Sequence, residues 1–463
     1  MDGADAGFLY METPTQHMHT LKIAVLEPDP AQTFETFRSG VLARLDQLPP
    51  LRRKAVQVPF QLNHPVWVTV RRIDAAHHFR RHQVGGTGSR RDLDHLIGEI
   101  ASTPLDRAHP LWELHLCEGL ADGGTAIVGK MHHALADGMA ANALLGNVTD
   151  VQGADAFLPR EAREGAAPAA DGSPDKAGLV RSALLDAIVQ IALLPALLWR
   201  TFRGVRSVLR YRRAEEPDVP RPVLDAPRTS FNRALTARRS FATCTLPLAD
   251  IKGVRRAHPG VTLNDVVLAV VGGALRAWLD ERGEHPSGSL MAGVPTATDT
   301  PDAGAPPRLH GNRVSNLFTS LATDVDDPHE RLRAIHRVTT HSKQLQRELG
   351  PAMLTEWVQF TPPAPFSAVM RLYSKVRAAS WHAPPFNVVV SNVPGPRETA
   401  RIGDASLADL FSVGPILEGI GLNVTVWSYV DRMNFSLLSC PELITDLEPL
   451  TARFRPALEE LMT

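Results

Sequence analysis

Two adjacent histidines, His132 and His133, stand between a strand-like and a helix-like segment, and this arrangement constrains the fold most. Residues 125–131 form a short, mostly apolar run that is typical of a buried strand, whereas residues 139–148 have the composition of a helix. Side chains at such a strand end lie where loops build sites on a rigid scaffold. The segment therefore predicts an α/β or mixed α+β chain with a candidate site at the histidines.

The two histidines are predicted to have different roles, because neighbouring side chains of a strand point to opposite faces. His133 lies on the side of Gly129, which leaves room beside it, and His132 lies on the other side. An ordinary histidine pKa is about 6.5, so His133 is a candidate for proton transfer. Asp137, directly before Gly138, fits a helix N-cap. A purely structural role fits the same residues.

Composition and spacing exclude several classes of protein and site. The chain has 463 residues, 44% of them hydrophobic, and a net charge of −1, which allows two domains and gives no signal for nucleic acid. Its three widely spaced cysteines predict reduced thiols in a cytoplasmic protein, and nothing near Cys117 indicates an activated nucleophile. The histidines diverge and no Cys-x-x-Cys or Glu-x-x-His supplies further ligands, so no metal site is predicted.

The chain is predicted to consist of two folded halves and a connecting segment. Residues 1–151 form the first α/β half and carry the histidines, residues 152–228 form a flexible linker and an amphipathic connecting helix, and residues 229–463 form the second half. The helix, over 179–213, is expected as one helix or as a pair interrupted near Pro195. Strands are expected at 19–26, 65–70, 111–117, 312–322 and 386–391, with a hairpin over 422–439 and helices at 32–48, 92–102 and 262–283.

The connecting helix carries the predicted membrane contact. The apolar stretch 183–199 is interrupted by polar residues and by Pro195, and it falls short of the about 20 residues that a span needs. The N-terminus has no secretory signal pattern. One helix face carries four arginines, which is typical of peripheral contact with an anionic membrane or lipid-droplet surface: Arg200, Arg203, Arg206 and Arg210. An ordinary surface helix is the alternative.

Three further motifs accompany the histidine segment, in a fixed order along the chain. They are Pro110-Leu111-Trp112, Asn264-Asp265 and Ser391-Asn392-Val393-Pro394-Gly395-Pro396. Together with His-His-x-x-x-Asp-Gly, they resemble the motifs of the bacterial wax ester synthase/diacylglycerol acyltransferase family, in the coenzyme-A-dependent acyltransferase superfamily. The likeness covers nearly the whole chain. His109 and residues 294–299, which lack an arginine, depart from the family pattern and leave substrate preference open.

The resemblance implies an architecture and a reaction. The fold would be two chloramphenicol-acetyltransferase-like subdomains, each a mixed sheet flanked by helices, with a tunnel between them. Acyl-CoA would be the co-substrate, with no permanently bound cofactor, and diacylglycerol or a long-chain alcohol would accept the acyl group. His133 would be the general base, without an acyl-enzyme. Four residues would supply hydrogen bonds to the oxyanion or position the substrate: Asn264, Asp265, Ser391 and Asn392.

Several motif residues also fit structural roles. Thr262 and Asp265 have the spacing of a capping box, and Asp137 fits either an N-cap or an ion pair, for which Arg313 is a candidate partner. The segment 394–396 is expected to be a rigid turn. The segment 110–112 is expected to pack in the core, although its Trp112 could line a tunnel.

Two other functions compete with acyl transfer from coenzyme A to an alcohol. One is a condensation-type or carrier-protein-dependent acyltransferase, against which the Asn264-Asp265 and 391–396 motifs argue. The other is a non-catalytic lipid-droplet-binding protein, against which the intact histidine motif argues.

Overall fold

The structure is a computed structural model that describes residues 1–149, 151–152, 175–214, 226–297, 308–349 and 357–463. Its strands are β1 (His19–Leu26), β2 (Arg53–Val56), β3 (Val66–Thr69), β4 (Phe79–Gln83), β5 (Trp112–Glu118), β6 (Thr125–His132), β7 (Val151–Gln152), β8 (Ser240–Pro247), β9 (Met291–Ala297), β10 (Val314–Ser320), β11 (Val388–Val393), β12 (Arg401–Ile402), β13 (Ala405–Val413), β14 (Leu422–Tyr429) and β15 (Arg432–Ser439).

Helices flank these strands along the whole described chain. They are α1 (Gly3–Met11), α2 (Phe34–Arg44), α3 (Ala75–His78), α4 (Arg90–Ala101), α5 (Gly138–Val148), α6 (Lys176–Ala214), α7 (Leu248–Ala257), α8 (Leu263–Glu281), α9 (Pro328–Leu349), α10 (Pro363–Lys375), α11 (Glu448–Thr451) and α12 (Phe454–Glu459). Short 3-10 turns lie at Leu45–Gln47, Pro49–Arg52, Pro59–Gln61 and Ala378–Ser380.

The first sheet is built from both ends of the chain. Its order is β4-β5-β6-β1-β13-β12-β7, with β1 at the centre. The histidine-bearing strand β6 pairs antiparallel with β1, and His132 faces His19 in register. On its other edge, β1 pairs antiparallel with β13, which comes from the C-terminal part of the chain. The sheet that holds the histidines is therefore complete only after about 400 residues of chain have been laid down.

The second sheet has the order β10-β9-β11-β14-β15-β8. One of its faces is covered by α8, whose residues from Asp265 to Leu275 are buried because the helix is apolar nearly all round. The largest buried cluster lies there, between α8 and the strands β9, β11, β14 and β15. Strand β13 of the first sheet packs against β14 of the second and joins the two sheets.

The predicted mixed α/β class is confirmed, and most predicted elements are present within a few residues of their expected ends. Strand β5 pairs with β6 across the Asp122–Gly124 turn, as expected. The connecting helix α6 is one helix that contains Pro195. The domain boundaries stay a prediction, because residues 153–174 and 215–225, where the connecting segment begins and ends, lie outside the described residues.

One expectation about the connecting helix is wrong. Among the described residues, the segment Lys176–Arg203 of α6 is long and apolar enough to cross a membrane, by length and composition alone. The apolar run 183–199 is shorter than a membrane span, whereas the helix continues beyond it at both ends. In the structure α6 lies along the protein, and within Lys176–Arg203 the buried side chains are those of Ala183 and Leu197.

Candidate active site

His133 lies in the turn between β6 and α5. Its backbone N–H donates to the carbonyl of Met18 at 2.7 Å, which fixes the turn against the start of β1. The carboxylate of Asp137 caps α5 and accepts from the N–H of Ala140 at 3.0 Å. The predicted N-cap is therefore confirmed, and the strand, turn and helix hold the imidazole at a fixed place.

The hydrogen bonds of Asn312 determine the tautomer of His133. The Asn312 Nδ2 group donates to Asp5 Oδ1 at 2.7 Å and to the carbonyl of His133 at 2.8 Å. Both partners are placed to accept, so the amide oxygen is the end that faces His133 Nδ1, at 2.8 Å. Because an amide oxygen only accepts, Nδ1 carries the proton. His133 Nε2 therefore carries the lone pair of a neutral imidazole.

The surroundings of His133 keep it neutral. Burial lowers its pKa to about 4, against the opposite effects of Asp137 and Asn312. The ring of Phe8, on α1, stacks on the imidazole with centroids 4.1 Å apart and planes inclined by 18°. A neutral imidazole with a free Nε2 can take a proton at neutral pH.

Asp5 completes the chain of contacts behind His133. Its carboxyl group lies on α1, is 6% exposed and accepts from Asn312. Burial raises its pKa to about 7, although the Asn312 hydrogen bond acts in the other direction. A line of hydrogen bonds thus connects the carboxyl group of Asp5, the amide of Asn312 and the imidazole of His133.

His132 faces the opposite side and is fully buried. Its Nδ1 accepts from the N–H of Ala134 at 3.0 Å, so the proton lies on Nε2, which is 3.4 Å from Glu12 Oε1. A ring whose Nδ1 accepts a hydrogen bond is neutral, so this contact is not an ion pair, and 3.4 Å is too long for a good hydrogen bond. Burial would raise the pKa of Glu12, but His132 and Arg107 hold it at about 2. The two histidines therefore diverge, as the strand geometry predicts.

The ion pair of Asp137 differs from the expected one. The guanidinium of Arg308 contacts Asp137 Oδ2 at 2.5 Å, whereas Arg313 contributes only its backbone N–H, at 3.0 Å. The physical reason is the shape of the loop: Gly311 has φ of +80° and forms a parallel bridge with Ala136. This turn brings Arg308 back to the carboxylate. The prediction of Arg313 as the side-chain partner is therefore wrong.

The structure brings Asn264 and Asn392 together and separates Ser391 from them. Asn392 Nδ2 lies 3.5 Å from Asn264 Oδ1, at the start of α8. Ser391 precedes Asn392 on β11 and points to the opposite face, the one that carries Thr425 on β14. The three residues therefore do not form one cluster of donors.

Asp265 is occupied by structural contacts. It forms the capping box with Thr262, with hydrogen bonds of 2.8 and 3.2 Å, and it is completely buried. It also accepts from His336 Nδ1 at 2.9 Å and from the hydroxyl of Thr339 at 2.7 Å, which ties α8 to α9. Burial would raise its pKa, but these hydrogen bonds lower it.

The motifs at 110–112 and 394–396 make structural contacts. Leu111 and Trp112 are buried, and Trp112 Nε1 donates to the carbonyl of Leu51 at 2.7 Å. The segment after Pro110 is therefore core packing. Gly395 donates its N–H to Ser428 Oγ at 2.9 Å, and a Cβ there would lie 1.9 Å from the carbonyl of Ser428, so only glycine allows this close approach. The segment follows the end of β11 at Val393, and the rigid turn stays a prediction.

An apolar cavity lies where the first sheet, α5 and the segment around Pro396 meet. Its empty volume is about 620 Å³, part of it open to solvent. Gly129 lines it, and a Cβ there would lie 2.6 Å from Leu145 Cδ1, so a larger residue would displace the Leu145 side chain. The lining residues come from both halves of the chain: Lys22, Ala24, Leu114, Ile127, Gly129, Asn142, Leu145, Gly146, Thr149, Pro396, Ala400, Ile402, Leu407, Leu410 and Trp427.

Two other groups of reactive side chains bear on the sequence predictions. Burial raises the pKa of Cys117 to about 12, so its thiol stays protonated and weakly nucleophilic. Possible ligand atoms of His77, Asp106 and His109 lie within 4.8 Å of one another, although the His77 and His109 rings are stacked 3.8 Å apart. Ligating imidazoles would have to unstack, and the absence of a resident metal stays a prediction.

Sequence reasoning missed most partners of the histidine motif. Asp5, Phe8 and Glu12 lie in the N-terminal helix or just after it, and no local pattern connects them to His133. In the sequence, Asn312 stands out only as the neighbour of Arg313. Because Asn312 and His133 are 179 positions apart, only the folded chain brings them together.

Comparisons with known proteins show to which family the chain is similar. The profile of the wax ester synthase/diacylglycerol acyltransferase catalytic domain matches residues 1–267, and that of the family's C-terminal domain matches residues 310–462. Two proteins of Mycobacterium tuberculosis H37Rv, each named “putative diacylglycerol O-acyltransferase”, are 39% and 34% identical to the chain. They cover 98% and 100% of it, and the matches span 93% and 90% of their own lengths.

Solved structures show the same fold. The wax ester synthase/diacylglycerol acyltransferase from Marinobacter aquaeolei VT8 matches with a TM-score of 0.67 and 27% identity, over 99% of this chain and 97% of that one. The first condensation domain of the CDA synthetase matches with a TM-score of 0.56 and 15% identity, over 100% and 95% of the two chains. The predicted two-domain, chloramphenicol-acetyltransferase-like architecture is confirmed. The chain belongs to the wax ester synthase/diacylglycerol acyltransferase family and is an acyl-CoA-dependent acyltransferase.

Proposed function

We propose that the protein transfers a long-chain acyl group from acyl-CoA directly to a hydroxyl of diacylglycerol or of a long-chain alcohol, with His133 as general base. The observation that carries this proposal is the contact between Asn312 and His133 Nδ1, which leaves the lone pair on Nε2. A positioned base of this kind contributes about 10²–10⁴-fold to a rate.

The proposed reaction needs no covalent enzyme intermediate. The acceptor oxygen attacks the thioester carbonyl while its proton passes to His133 Nε2. The tetrahedral intermediate then collapses, the carbon–sulfur bond breaks, and the proton passes from Nε2 to the departing coenzyme A thiolate. Ser391 and the Asn264–Asn392 pair, on opposite faces of β11, are separate candidates for positioning the substrates or the oxyanion.

Exposed apolar side chains support a peripheral membrane or lipid-droplet contact. The outer face of α6 exposes Ile188, Ile191 and Trp199, among others, and α10 exposes Val369 and Leu372. The 3-10 turn 59–61 touches both helices, and α10 packs on α1, which carries Phe8 over His133. We infer that water-insoluble acceptors reach the site from this side.

The arginines predicted to bind anionic lipid lie on the same helix. Arg203 and Arg206 are exposed, whereas the side chain of Arg210 lies outside the described residues. Reversing Arg203 and Arg206 to glutamate should weaken binding to vesicles that contain anionic lipid, since each basic residue contributes about 1 kcal/mol near such a surface. Activity on a short, soluble alcohol should survive. Unchanged vesicle binding would leave the arginines as ordinary surface residues.

Release of coenzyme A thiol tests the reaction and its alternatives. Purified protein with palmitoyl-CoA should release thiol quickly only when diacylglycerol or hexadecanol is present, and the acyl group should appear in the matching ester. Transfer only from an acyl-carrier protein would favour a condensation-type enzyme, and no thiol release under any condition would favour a non-catalytic lipid-binding protein. A stoichiometric acyl adduct on denatured protein would contradict direct transfer.

A further inference from the structure

Lys22 is a buried cation in the wall of the apolar cavity. It lies in the middle of β1, in register with Gly129 on one side and Ser412 on the other, and only 8% of its surface is exposed. Its Nζ donates to Ser412 Oγ at 2.6 Å and lies 5.0 Å from the centre of the Trp427 ring. The cavity therefore has one cationic point in an apolar lining.

The ammonium group of Lys22 is incompletely paired. An ammonium has three N–H donors, and Ser412 accepts one of them. Within the described ranges no carboxylate forms an ion pair with Lys22, and Asp137 acts on it only at longer range. Burial lowers its pKa to about 7 for this reason. A buried charge without a counter-ion is costly unless a ligand supplies one.

A second polar group lines the same cavity. Asn142, on α5, is 8% exposed, and its Oδ1 has no hydrogen-bond partner among the residues that the structure describes. A side-chain amide can present either its N–H or its oxygen to a ligand, depending on its rotation. The remaining wall is mainly apolar and includes Ala24, Leu114 and Ile127. The cavity thus combines a cation, an amide and an apolar surface.

We propose that this cavity binds the carboxylate form of a long-chain fatty acid, with the carboxylate at Lys22 and Asn142 and the chain along the apolar wall. One cation and one amide match the single charge of a carboxylate, whereas a phosphate dianion would need more donors. A neutral alcohol or ester would leave the ammonium unpaired. A free fatty acid is neither donor nor acceptor in the proposed transfer, so this site is additional to it.

Calorimetric titration with decanoate, a soluble probe, tests the site. Wild-type protein should bind decanoate at least tenfold more tightly than 1-decanol, because a charge-assisted hydrogen bond is stronger than one between neutral groups. Lys22→Met keeps the length and apolar body of the side chain and should bring the two affinities within about twofold, as expected when the only cation is lost. Lys252→Met, at an exposed lysine, is the matched control and should keep the preference.

A second variant keeps the test valid if Lys22→Met does not fold. Asn142→Leu should weaken decanoate binding more than decanol binding while Lys22 remains in place. Equal affinity of the wild-type protein for the two probes, or an undiminished preference in Lys22→Met or Asn142→Leu, would overturn the proposal. No acyl-CoA is present in these titrations, so their failure would leave the proposed transfer reaction untouched.

Discussion

His133 and His336 each have an Nδ1 that faces a side-chain amide or carboxylate oxygen from a distant segment, and the two partners differ in kind. His133 Nδ1 faces the neutral amide of Asn312 at 2.8 Å, whereas His336 Nδ1 faces the carboxylate of Asp265 at 2.9 Å. A carboxylate stabilises a charged ring, and an amide oxygen does so far less. The contrast separates a histidine kept neutral from one used to anchor a carboxylate.

The surroundings of the two histidines differ in the same sense. Phe8 stacks on His133, and burial lowers the pKa of the His133 imidazole to about 4. His336 lies half-buried on α9, and the Asp265 carboxylate that it contacts is shared with Thr262 and Thr339. The first arrangement leaves one ring nitrogen available for chemistry, and the second uses its hydrogen bonds to join two helices. The sequence motifs alone, His132-His133 and Asn264-Asp265, do not reveal this difference.

Removal of each histidine should give the largest contrast. His133→Ala should lower kcat by at least about 100-fold, because the general base is lost, while the protein stays folded. His336→Ala should keep at least about half of the wild-type kcat, because its contacts serve only helix packing. Steady-state thiol release, with circular dichroism as the folding control, measures both. If His133→Ala keeps more than a tenth of the wild-type rate, it is not the base.

Conversion of one type of site into the other should have the next largest effect. Asn312→Asp places a carboxylate at His133 Nδ1, as at His336, and should raise the pKa of His133 from its value of about 4. A base works only when deprotonated, so the acid limb of kcat/KM should move to higher pH by at least about one unit.

The control for this charge change lies four positions further along the chain. Asn316 is exposed on β10, and Asn316→Asp adds the same charge away from His133. Its pH profile should match the wild type. An acid limb that stays in place in Asn312→Asp would mean that Asn312 does not control His133.

The local elements were predictable because their information is local. The largely apolar segment 19–26 predicts a strand and the position of Asp137 predicts a helix N-cap, and both signals depend only on neighbouring residues. The pairing of β1 with β13 was not, because it joins segments almost 390 positions apart and no residue pattern encodes the partner.

The site was predictable only in part, for the same reason. The motif identified His133, but its tautomer depends on Asn312, and the Asp137 ion pair depends on how the 308–313 loop turns at Gly311. An arginine near the right place in the sequence was therefore expected at the wrong position. Likewise, no pattern around Lys22 in the sequence predicts that it is buried in a cavity wall, because the strands on either side of β1 bury it.

Loss of the anchoring carboxylate should affect stability more than catalysis. Asp265→Ala removes the capping box and leaves His336 and Thr339 without their acceptor, so the free energy of unfolding should fall by about 1–3 kcal/mol. The specific activity of the folded protein should change less than about twofold. Urea unfolding and thiol release measure the two quantities. A large loss of kcat with unchanged stability would instead give Asp265 a role in the reaction. It would contradict the distinction between a reactive site at His133 and a structural site at His336.

The smallest effect on activity is expected at Asp5, behind the neutral site. Asp5→Asn keeps an oxygen that accepts from Asn312, so kcat at pH 6 should stay within about threefold of wild type. The free energy of unfolding should depend on Asp5 more strongly than kcat does.

Because the folded-state pKa of Asp5 is raised from 3.8 to about 7, its stabilising effect is complete below pH 3.8 and is lost as pH rises through 7. At 1.36 kcal/mol per unit, the loss is on the order of 4 kcal/mol. Urea unfolding of the variant should lack this decline between pH 4 and 7, whereas Asp404→Asn, at an exposed carboxylate, should retain it. Parallel pH profiles for Asp5→Asn and the wild-type protein would show that Asp5 is ionised throughout, and the line of contacts behind His133 would then carry a permanent charge.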